Sequence, residues 1–524
     1  MEHYGILSIL PPLIAIVLAI VTKQVLISLF LGIFAGTMIL TGYNPLNAFL
    51  TLVNMLFENL GDASWNAPLV LFLMLLGGLV GLFARSGAAR SFGHWASQRV
   101  TSRPGAIFAT WLLGVAIFLD DYFNCLTVGT VMRPVTDHYR VSREKLAYII
   151  DSTAAPICML IPLSSWIAYV MSLIGPHFAE VGFNMNPFQA FLAMIPLNLY
   201  AWLAVIMVLL TSLTRLEYGP MAAAERRALE TGVLYDPAKG TPAGDDFHDL
   251  EIGDRGSAID LIVPVLTMII TAIIGFAYTG GYFDGGMGFF EAIWNTDAAP
   301  ALGYAGMFTI LVTVIFYAAR GILSITESMD ALVQGFKSMV IAVSILLLAW
   351  TIGGITGELG TGAYVTSIME GNFPLWAVPA TIFIVSSLIS FATGTSWGTM
   401  GIMIPIVVPL VAALDPSLML VGVAAVLAGA TFGDHCSPIS DTTIMSSTGA
   451  ACHHIDHVNT QLPYAITGGL VSTVGFLVAG FIQNGFLVLL ISVAILFGAL
   501  KIAHTYWGED VPVHLPEVAS TGDK

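Results

Sequence analysis

The sequence predicts an all-α polytopic membrane protein made of inverted structural repeats, with two re-entrant helical hairpins and broken transmembrane helices. Three observations predict it. Of 524 residues, 56% are hydrophobic and only 10% charged, and mean hydropathy is +0.85; a soluble chain carries roughly 25% charged residues. Apolar stretches recur at the length of a membrane crossing, with basic residues confined to some of the loops between them. Matching Gly- and Pro-containing motifs follow in the same order in both halves. The composition excludes a cytosolic enzyme and a disordered chain, and a net charge of −16 repels nucleic acid. Cys125, Cys158, Cys436 and Cys452 form no CxxC pair and read as buried thiols.

Segment 5–21 lacks a basic n-region and a small-residue cleavage site, so it reads as a transmembrane helix and not a signal peptide. Segments 25–42, 67–84, 188–213, 258–279, 301–319, 338–357, 462–482 and 487–503 each fit one span of about 20 apolar residues. Segments 146–174 and 418–447 fit with polar and proline interruptions. Basic residues cluster at Lys23, at Arg85 to Arg103, at Arg133 to Lys145, at Arg215 to Arg255, and at Arg320 and Lys337. By the positive-inside rule those loops are cytoplasmic, and the connections 43–66, 175–187, 280–300 and 358–372, without Lys or Arg, are external. Segment 104–132 has basic flanks on both sides and is too short for two crossings. It predicts a hairpin entering from the cytoplasm, with Asp120 and Asp121 near its tip. Segment 373–414 predicts the same from outside, turning at 394–399. Eleven spans and two hairpins put the N-terminus outside and the C-terminus inside.

Gly77-Gly78-Leu79-Val80-Gly81 is matched 276 residues later by Gly353-Gly354-Ile355-Thr356-Gly357. Pro156-Ile157 with Ser164-Ser165 is matched by Pro438-Ile439 with Ser446-Ser447 at an offset of 282. The halves 1–213 and 258–482 therefore read as repeats of opposite orientation. A cytoplasmic linker, 214–257, joins them and carries a short helix around 222–229. An extra transmembrane helix, 483–507, and a disordered tail, 508–524, follow. Inverted repeats with discontinuous helices are the pattern of secondary transporters that bind at the bilayer midplane. The chain has no phosphate-binding loop to suggest ATP coupling.

An ionisable group inside a bilayer costs at least about 2.5 kcal/mol, so the intramembrane polar residues are the functional candidates. In the first half they are Asp120, Asp121, Asn124, Thr127 and Asp151. In the second half they are Thr395, Ser396, Thr399, Asp434, Ser437, Ser440, Asp441 and Thr442. Carboxylates, hydroxyls and the carbonyls freed at helix breaks are hard oxygen ligands that suit Na+, here placed at Asp121, Asp434 and Asp441. A buried carboxylate that holds either Na+ or H+, but not both, is the simplest basis for exchange. The structural alternatives are helix capping, pairing with His435, and for Asp151 capping the start of its helix. Arg133 reads as the cytoplasmic anchor of the first hairpin. In the run Cys452-His453-His454-Ile455-Asp456-His457, His453 and His457 are spaced i, i+4. No second ligand cluster supports a metal there, and a pH-responsive patch or a plain surface turn fits better. Glu58, Glu291, Glu327 and Glu370 are expected to face water.

The run from Gly433-Asp-His-Cys-Ser-Pro-Ile-Ser-Asp-Thr-Thr443, through Ser446-Ser-Thr-Gly-Ala-Ala-Cys-His-His-Ile-Asp-His-Val458, to Thr460-Gln-Leu-Pro-Tyr464 closely resembles the NhaC family of sodium/proton antiporters. Gly394-Thr-Ser-Trp-Gly-Thr399 and Asp120-Asp-Tyr-Phe-Asn124 fit it too. The resemblance implies an inner-membrane secondary transporter of the ion transporter superfamily, usually a homodimer. It also implies that the hairpin tips and adjoining broken helices form the site: Asp121, Asn124 and Thr127, with Thr395, Ser396 and Thr399, and with Asp434, Ser437 and Asp441. Similar proteins exchange Na+ for H+, swap malate and lactate, or move amino acids.

The expected function is Na+ extrusion driven by inward H+, with no cofactor beyond the transported Na+ and H+. The expected partners are membrane lipid, a small ion or solute, and a second copy. The alternative is a Na+- or H+-coupled carrier of a small carboxylate or amino acid. The absence of Lys and Arg between 338 and 500 favours a cation, while helix N-termini at the tips keep an anion open. A membrane-embedded hydrolase has no HExxH to support it, and neighbours such as Asp120 and Asp121 point in different directions on a helix.

Overall fold

In lipid every backbone N–H and C=O must find a partner within the protein, so long apolar stretches fold as helices. The structure, a computed structural model, describes residues 4–22, 24–63, 66–97, 100–214, 216–242, 255–361, 364, 374–438 and 440–508. Lys23, Arg99, Arg215, Glu370, linker residues 243–254 and the tail beyond Gly508 lie outside these residues. Among the described residues the elements are helical, with one isolated antiparallel bridge between Tyr218 and Gly508.

A 3-10 turn, Gly5–Ile9, leads into α1 (Leu10–Thr22) and α2 (Val25–Leu40). Then come α3 (Pro45–Gly61), α4 (Asn66–Ser86) and α5 (Ala88–Ser97). The first hairpin is α6 (Arg103–Ala116) and α7 (Asp121–His138). A helix broken twice follows: α8 (Arg143–Thr153), α9 (Ala155–Leu160) and α10 (Ser165–Glu180). The first half closes with α11 (Pro187–Met194) and α12 (Leu199–Thr214), and the linker carries α13 (Gly219–Thr231). The second half has α14 (Ala258–Thr279), α15 (Phe289–Trp294), α16 (Ala298–Ala319), α17 (Ile325–Ser338) and α18 (Val340–Glu358). Its hairpin is α19 (Val378–Thr393) and α20 (Ser396–Leu414), and its broken helix is α21 (Met419–Cys436) and α22 (Asp441–Gly449). Two long helices, α23 (His454–Ala479) and α24 (Gly485–Trp507), complete it.

Among the described residues eight helices are long and apolar enough to cross a membrane, and three sharply bent pairs, each counted as one span, bring the number up to eleven. These eleven are not the eleven single spans read from the sequence. The connection 43–66, read as a bare loop, is mostly α3, folded back on α2 at 119°. Asn44 caps it, accepting from the backbone N–H groups of Leu46 and Asn47 at 3.1 Å, and Pro45 opens its first turn. Ala48 and Leu52 are buried while Asn47, Asn54 and Glu58 are exposed, the mark of an amphipathic helix. In α17 the same logic applies: Ser324 and Glu327 close a capping box. The second hairpin is also deeper than expected, since its two arms are each of spanning length. Its turn depends on Gly394, whose φ of 68° is left-handed and costs glycine nothing.

The largest apolar core runs through α4, α8 to α10 and α19 to α21. Within it α21 lies so close to α19 that a Cβ on Gly433 would stand 2.1 Å from the Ser387 carbonyl oxygen and 2.7 Å from the Phe391 nitrogen. Only glycine permits that crossing, and it brings the second hairpin against the break that follows Cys436.

The buried carboxylates and the linker clamp

Each broken helix ends beside the tip of its own hairpin. In the first half the Ser165 backbone N–H donates to the Leu119 carbonyl at 2.9 Å. The Asn124 amide nitrogen lies 2.7, 2.8 and 3.0 Å from the carbonyls of Gly114, Ile117 and Thr153, which joins hairpin to break. In the second half Ser390 Oγ donates to the Ala430 carbonyl at 2.6 Å, and Ser437 Oγ to the Phe391 carbonyl at 2.7 Å. Two expected site residues are helix caps. Thr395 Oγ1 accepts from the Gly398 N–H at 3.3 Å, and Ser440 Oγ from the Thr443 N–H at 3.3 Å. Thr399 Oγ1 donates back to the Thr395 carbonyl at 2.9 Å, Thr442 lies 3.0 Å from Ser440 through its hydroxyl, and Thr127 is buried one turn into α7.

Around these joints stand five carboxylates, Asp120, Asp121, Asp151, Asp434 and Asp441. The first four are at most 4% exposed. Ser165 Oγ lies 3.3 Å from Asp120 Oδ2. The Tyr122 hydroxyl donates to Asp441 across the halves, and Asp121 lies within electrostatic range of Asp120 and Asp441. Ser396 Oγ lies 2.8 Å from Asp434 Oδ2 and 3.2 Å from the Ala430 carbonyl.

Their places on the helices set their energetics apart. Asp121 and Asp441 occupy first turns, where the helix dipole favours a negative charge. Asp434 and Asp151 occupy last turns, where carbonyl ends oppose one. Asp434 Oδ1 and Asn124 Oδ1 are buried acceptors with no hydrogen-bond partner, and such an atom is costly unless a donor or a cation meets it. Among the described residues no three His, Cys, Asp or Glu side chains gather closely enough to hold one metal ion. Asp121, Asp434 and Asp441 thus do not converge as one three-carboxylate set in this conformation. A hydroxyl reaches Asp434 from Ser396 and Asp441 from Tyr122.

Asp151 does not cap the start of a helix, the structural alternative read from the sequence. It lies at the end of α8, not the start, and its Oδ2 accepts from Gln461 Nε2 at 2.6 Å, Thr443 Oγ1 at 3.1 Å and His457 Nε2 at 3.2 Å. His457, expected on a surface turn or patch, is fully buried, because α23 starts at His454 and turns it inward. His435 does not sit within hydrogen-bonding distance of Asp151, its Nε2 being 3.7 Å away; its Nδ1 meets the Tyr200 hydroxyl at 2.6 Å. Gln461, which sequence reasoning did not single out, also donates to the His435 carbonyl at 2.7 Å. All four cysteines are buried free thiols, as expected.

The Arg and Lys side chains of α8 are spent at the other end of that helix. Lys145 is fully buried and donates to Glu217 Oε1 at 2.7 Å and to Thr211 at 3.1 Å, while Tyr464 donates to the other oxygen of Glu217. Arg143 grips Asp137 at 2.7 and 2.8 Å. Arg227 of the linker holds Glu144 at 2.7 Å, and Arg103 pairs with Glu225. Lys239 pairs with Asp456 at 2.5 Å, and that hydrogen bond raises the ammonium pKa above its ordinary value. The linker is thus strapped to the first hairpin, to α8 and to α23.

The profile of the Na+/H+ antiporter family matches residues 157–481. An uncharacterised protein of Haemophilus influenzae is 41% identical over 489 residues, covering 91% of each chain. The malate-2H+/Na+-lactate antiporter of Bacillus subtilis is 32% identical over 166 residues, 31% of this chain and 34% of that one. Among solved structures, the YdaH transporter of Alcanivorax borkumensis aligns with a TM-score of 0.46 at 15% identity, over 82% of this chain and 87% of that one. With the family profile spanning more than half of its length, the chain belongs to the Na+/H+ antiporter family and is a membrane-embedded secondary transporter.

Proposed function

We propose that the protein extrudes Na+ in exchange for H+ by alternating access, with Asp434 as the group over which the two ions compete. The observation that carries this is the Asp434 Oδ1 atom, a buried carboxylate oxygen without a donor in the last turn of a broken helix. A cation there would be favoured twice, by the carboxylate and by the carbonyl end of α21. A proton bound to the carboxylate would remove the first attraction, so Na+ and H+ exclude one another. Ser396 would orient Asp434, and Asn124 Oδ1, Asp121 and Asp441 would offer further oxygens. Halves 1–213 and 258–482, each with a hairpin and a broken helix, would act as inverted repeats that open the site to one face at a time. The end rich in Arg and Lys would face the cytoplasm of a bacterial inner membrane, and the unit would be a homodimer.

The test is purified protein in liposomes with an internal pH dye and an imposed acid interior. Added NaCl should dissipate the gradient and choline chloride should not. Asp434→Asn and Asp121→Asn should each abolish the response. A response to malate, lactate or an amino acid, with none to Na+, would replace this reading with that of an organic-solute carrier.

A further inference from the structure

We infer that Gln461 is a positioning residue that holds the breaks of the two halves in register, and that Asp151 is its anchor and not a ligand of the transported ion. The inference rests on the sodium reading of the Asp434 site. The Gln461 amide nitrogen carries two hydrogens and meets two acceptors, Asp151 Oδ2 at 2.6 Å and the His435 carbonyl at 2.7 Å. Both neighbours can only accept, so the NH2 group must face them. One acceptor is in the last turn of α8, just before the first-half break; the other is in the last turn of α21, one residue past Asp434. A single side chain on the continuous helix α23 therefore ties both discontinuities together.

Its neighbours reinforce the tie. His457, one turn earlier on α23, donates to the same Asp151 oxygen at 3.2 Å, and Thr443 of α22 does so at 3.1 Å. Three donors converge on Asp151 Oδ2, whereas Asp434 Oδ1 has none. The His435 carbonyl, held by Gln461, is no longer free to rotate, and it belongs to the residue next to Asp434. Gln461 thereby fixes where Asp434 points without reaching the ion itself.

The experiment uses the full chain in liposomes and reads 22Na+ uptake against Na+ concentration for Gln461→Glu, Gln461→Met, Asp151→Asn and the double variant Gln461→Glu/Asp151→Asn. In Gln461→Glu a carboxylate opposes both acceptors, and the half-saturating Na+ concentration should rise about tenfold or more, with the maximal rate less affected. Gln461→Met keeps the shape without the donors and should shift it in the same direction. Asp151→Asn alone keeps an oxygen for the three donors and should retain uptake. The double variant restores a donor–acceptor pair between positions 151 and 461 but leaves the His435 carbonyl facing a carboxylate, so it should recover only part of the shift. Loss of uptake in Asp151→Asn as complete as in Asp434→Asn would make Asp151 a ligand and overturn the inference. So would unchanged Na+ dependence in Gln461→Met, or a double variant that fully matches the parent. If the parent protein moves no Na+, the sodium reading fails by itself. The tie is then judged by amide hydrogen exchange, which should accelerate at 151–155 and 434–438 in Gln461→Met and would refute the tie if unchanged.

Discussion

Replacing Lys145 by Met tests whether the linker clamp stabilises the fold through a desolvated ion pair. The ammonium is fully buried, and its partner Glu217 is only 8% exposed at the side chain. Lys145→Met leaves that carboxylate with the Tyr464 hydroxyl alone. Breaking a buried pair from one side costs about 3–5 kcal/mol, because the surviving charge stays buried without compensation. At about 1.4 kcal/mol per decade, that lowers the folded-to-unfolded ratio by roughly a thousandfold. Removing both charges, as in Lys145→Met/Glu217→Gln, should recover more than half of the loss, since buried pairs replaced together are often near neutral.

The pH dependence carries the sign. Burial pushes the Glu217 carboxyl up, but the Lys145 charge, together with hydrogen bonds from Lys145 and Tyr464, brings it below its ordinary value. A carboxylate depressed on folding stabilises above its unfolded pKa of about 4.3, and that contribution fades as pH falls through the folded value. The parent should therefore lose this contribution only in acid below that range. In Lys145→Met burial acts without the opposing charge, so mild acid should stabilise the variant. The assay is the temperature at which detergent-purified protein loses its monodisperse size-exclusion peak, followed from pH 7 downward. A double variant as fragile as Lys145→Met, or a single variant as robust as the parent, would refute the argument.

Gly433→Ala should abolish transport, because its Cβ would overlap the Ser387 carbonyl and drive α19 from α21; 22Na+ uptake per reconstituted protein measures it. Ser396→Ala removes a hydroxyl 2.8 Å from Asp434. A hydrogen bond to a charged group contributes about 1.5–3 kcal/mol, so half-saturating Na+ should rise at least about tenfold in the same assay, with little change in thermal midpoint. Glu327 is held below its ordinary pKa by hydrogen bonds from the backbone and hydroxyl of Ser324. Its contribution to capping α17 is present above the unfolded carboxylate pKa and is lost as pH falls through the folded one. Protease cleavage near 324 should accelerate in acid in the parent and show less pH dependence in Glu327→Gln.

The hairpin tips and helix breaks were legible because Gly394, the prolines and the polar runs around Asp120 and Asp434 interrupt otherwise apolar segments. No transmembrane helix tolerates such interruptions without a reason. The amphipathic helices α3 and α17 were not legible, since a rule that sorts loops by Lys and Arg treats every non-spanning segment as a loop. Capping by Asn44 and Ser324 was the available signal. Thr395 and Ser440 were rightly placed at the breaks, yet their hydroxyls serve as caps, which spacing alone does not distinguish from ligands. Gln461 and His457 lie 310 and 306 residues from Asp151, and no local pattern announces a partner so distant. Lys145 read as one of a cluster of cytoplasmic loop cations; its burial follows from the linker folding back over α8.

The two broken helices differ in how far they run before they break. α21 runs 18 residues before its break beyond Asp434, about 27 Å at 1.5 Å per residue, and α8 runs 11 residues before the break after Asp151, about 16 Å. Under the proposed inverted arrangement, in which the two helices enter from opposite faces, the site between the breaks would sit off-centre in the electric field of an energised membrane. A full crossing is worth about 2.3 kcal/mol per unit charge per 100 mV. An ion travelling the short route crosses roughly two fifths of the voltage, about 0.9 kcal/mol, and one on the long route about 1.4 kcal/mol. At 100 mV, the occupancy of the site by a cation would be biased about fivefold from one side and tenfold from the other. Membrane potential would therefore tune ion capture unequally on the two faces, through helix length alone.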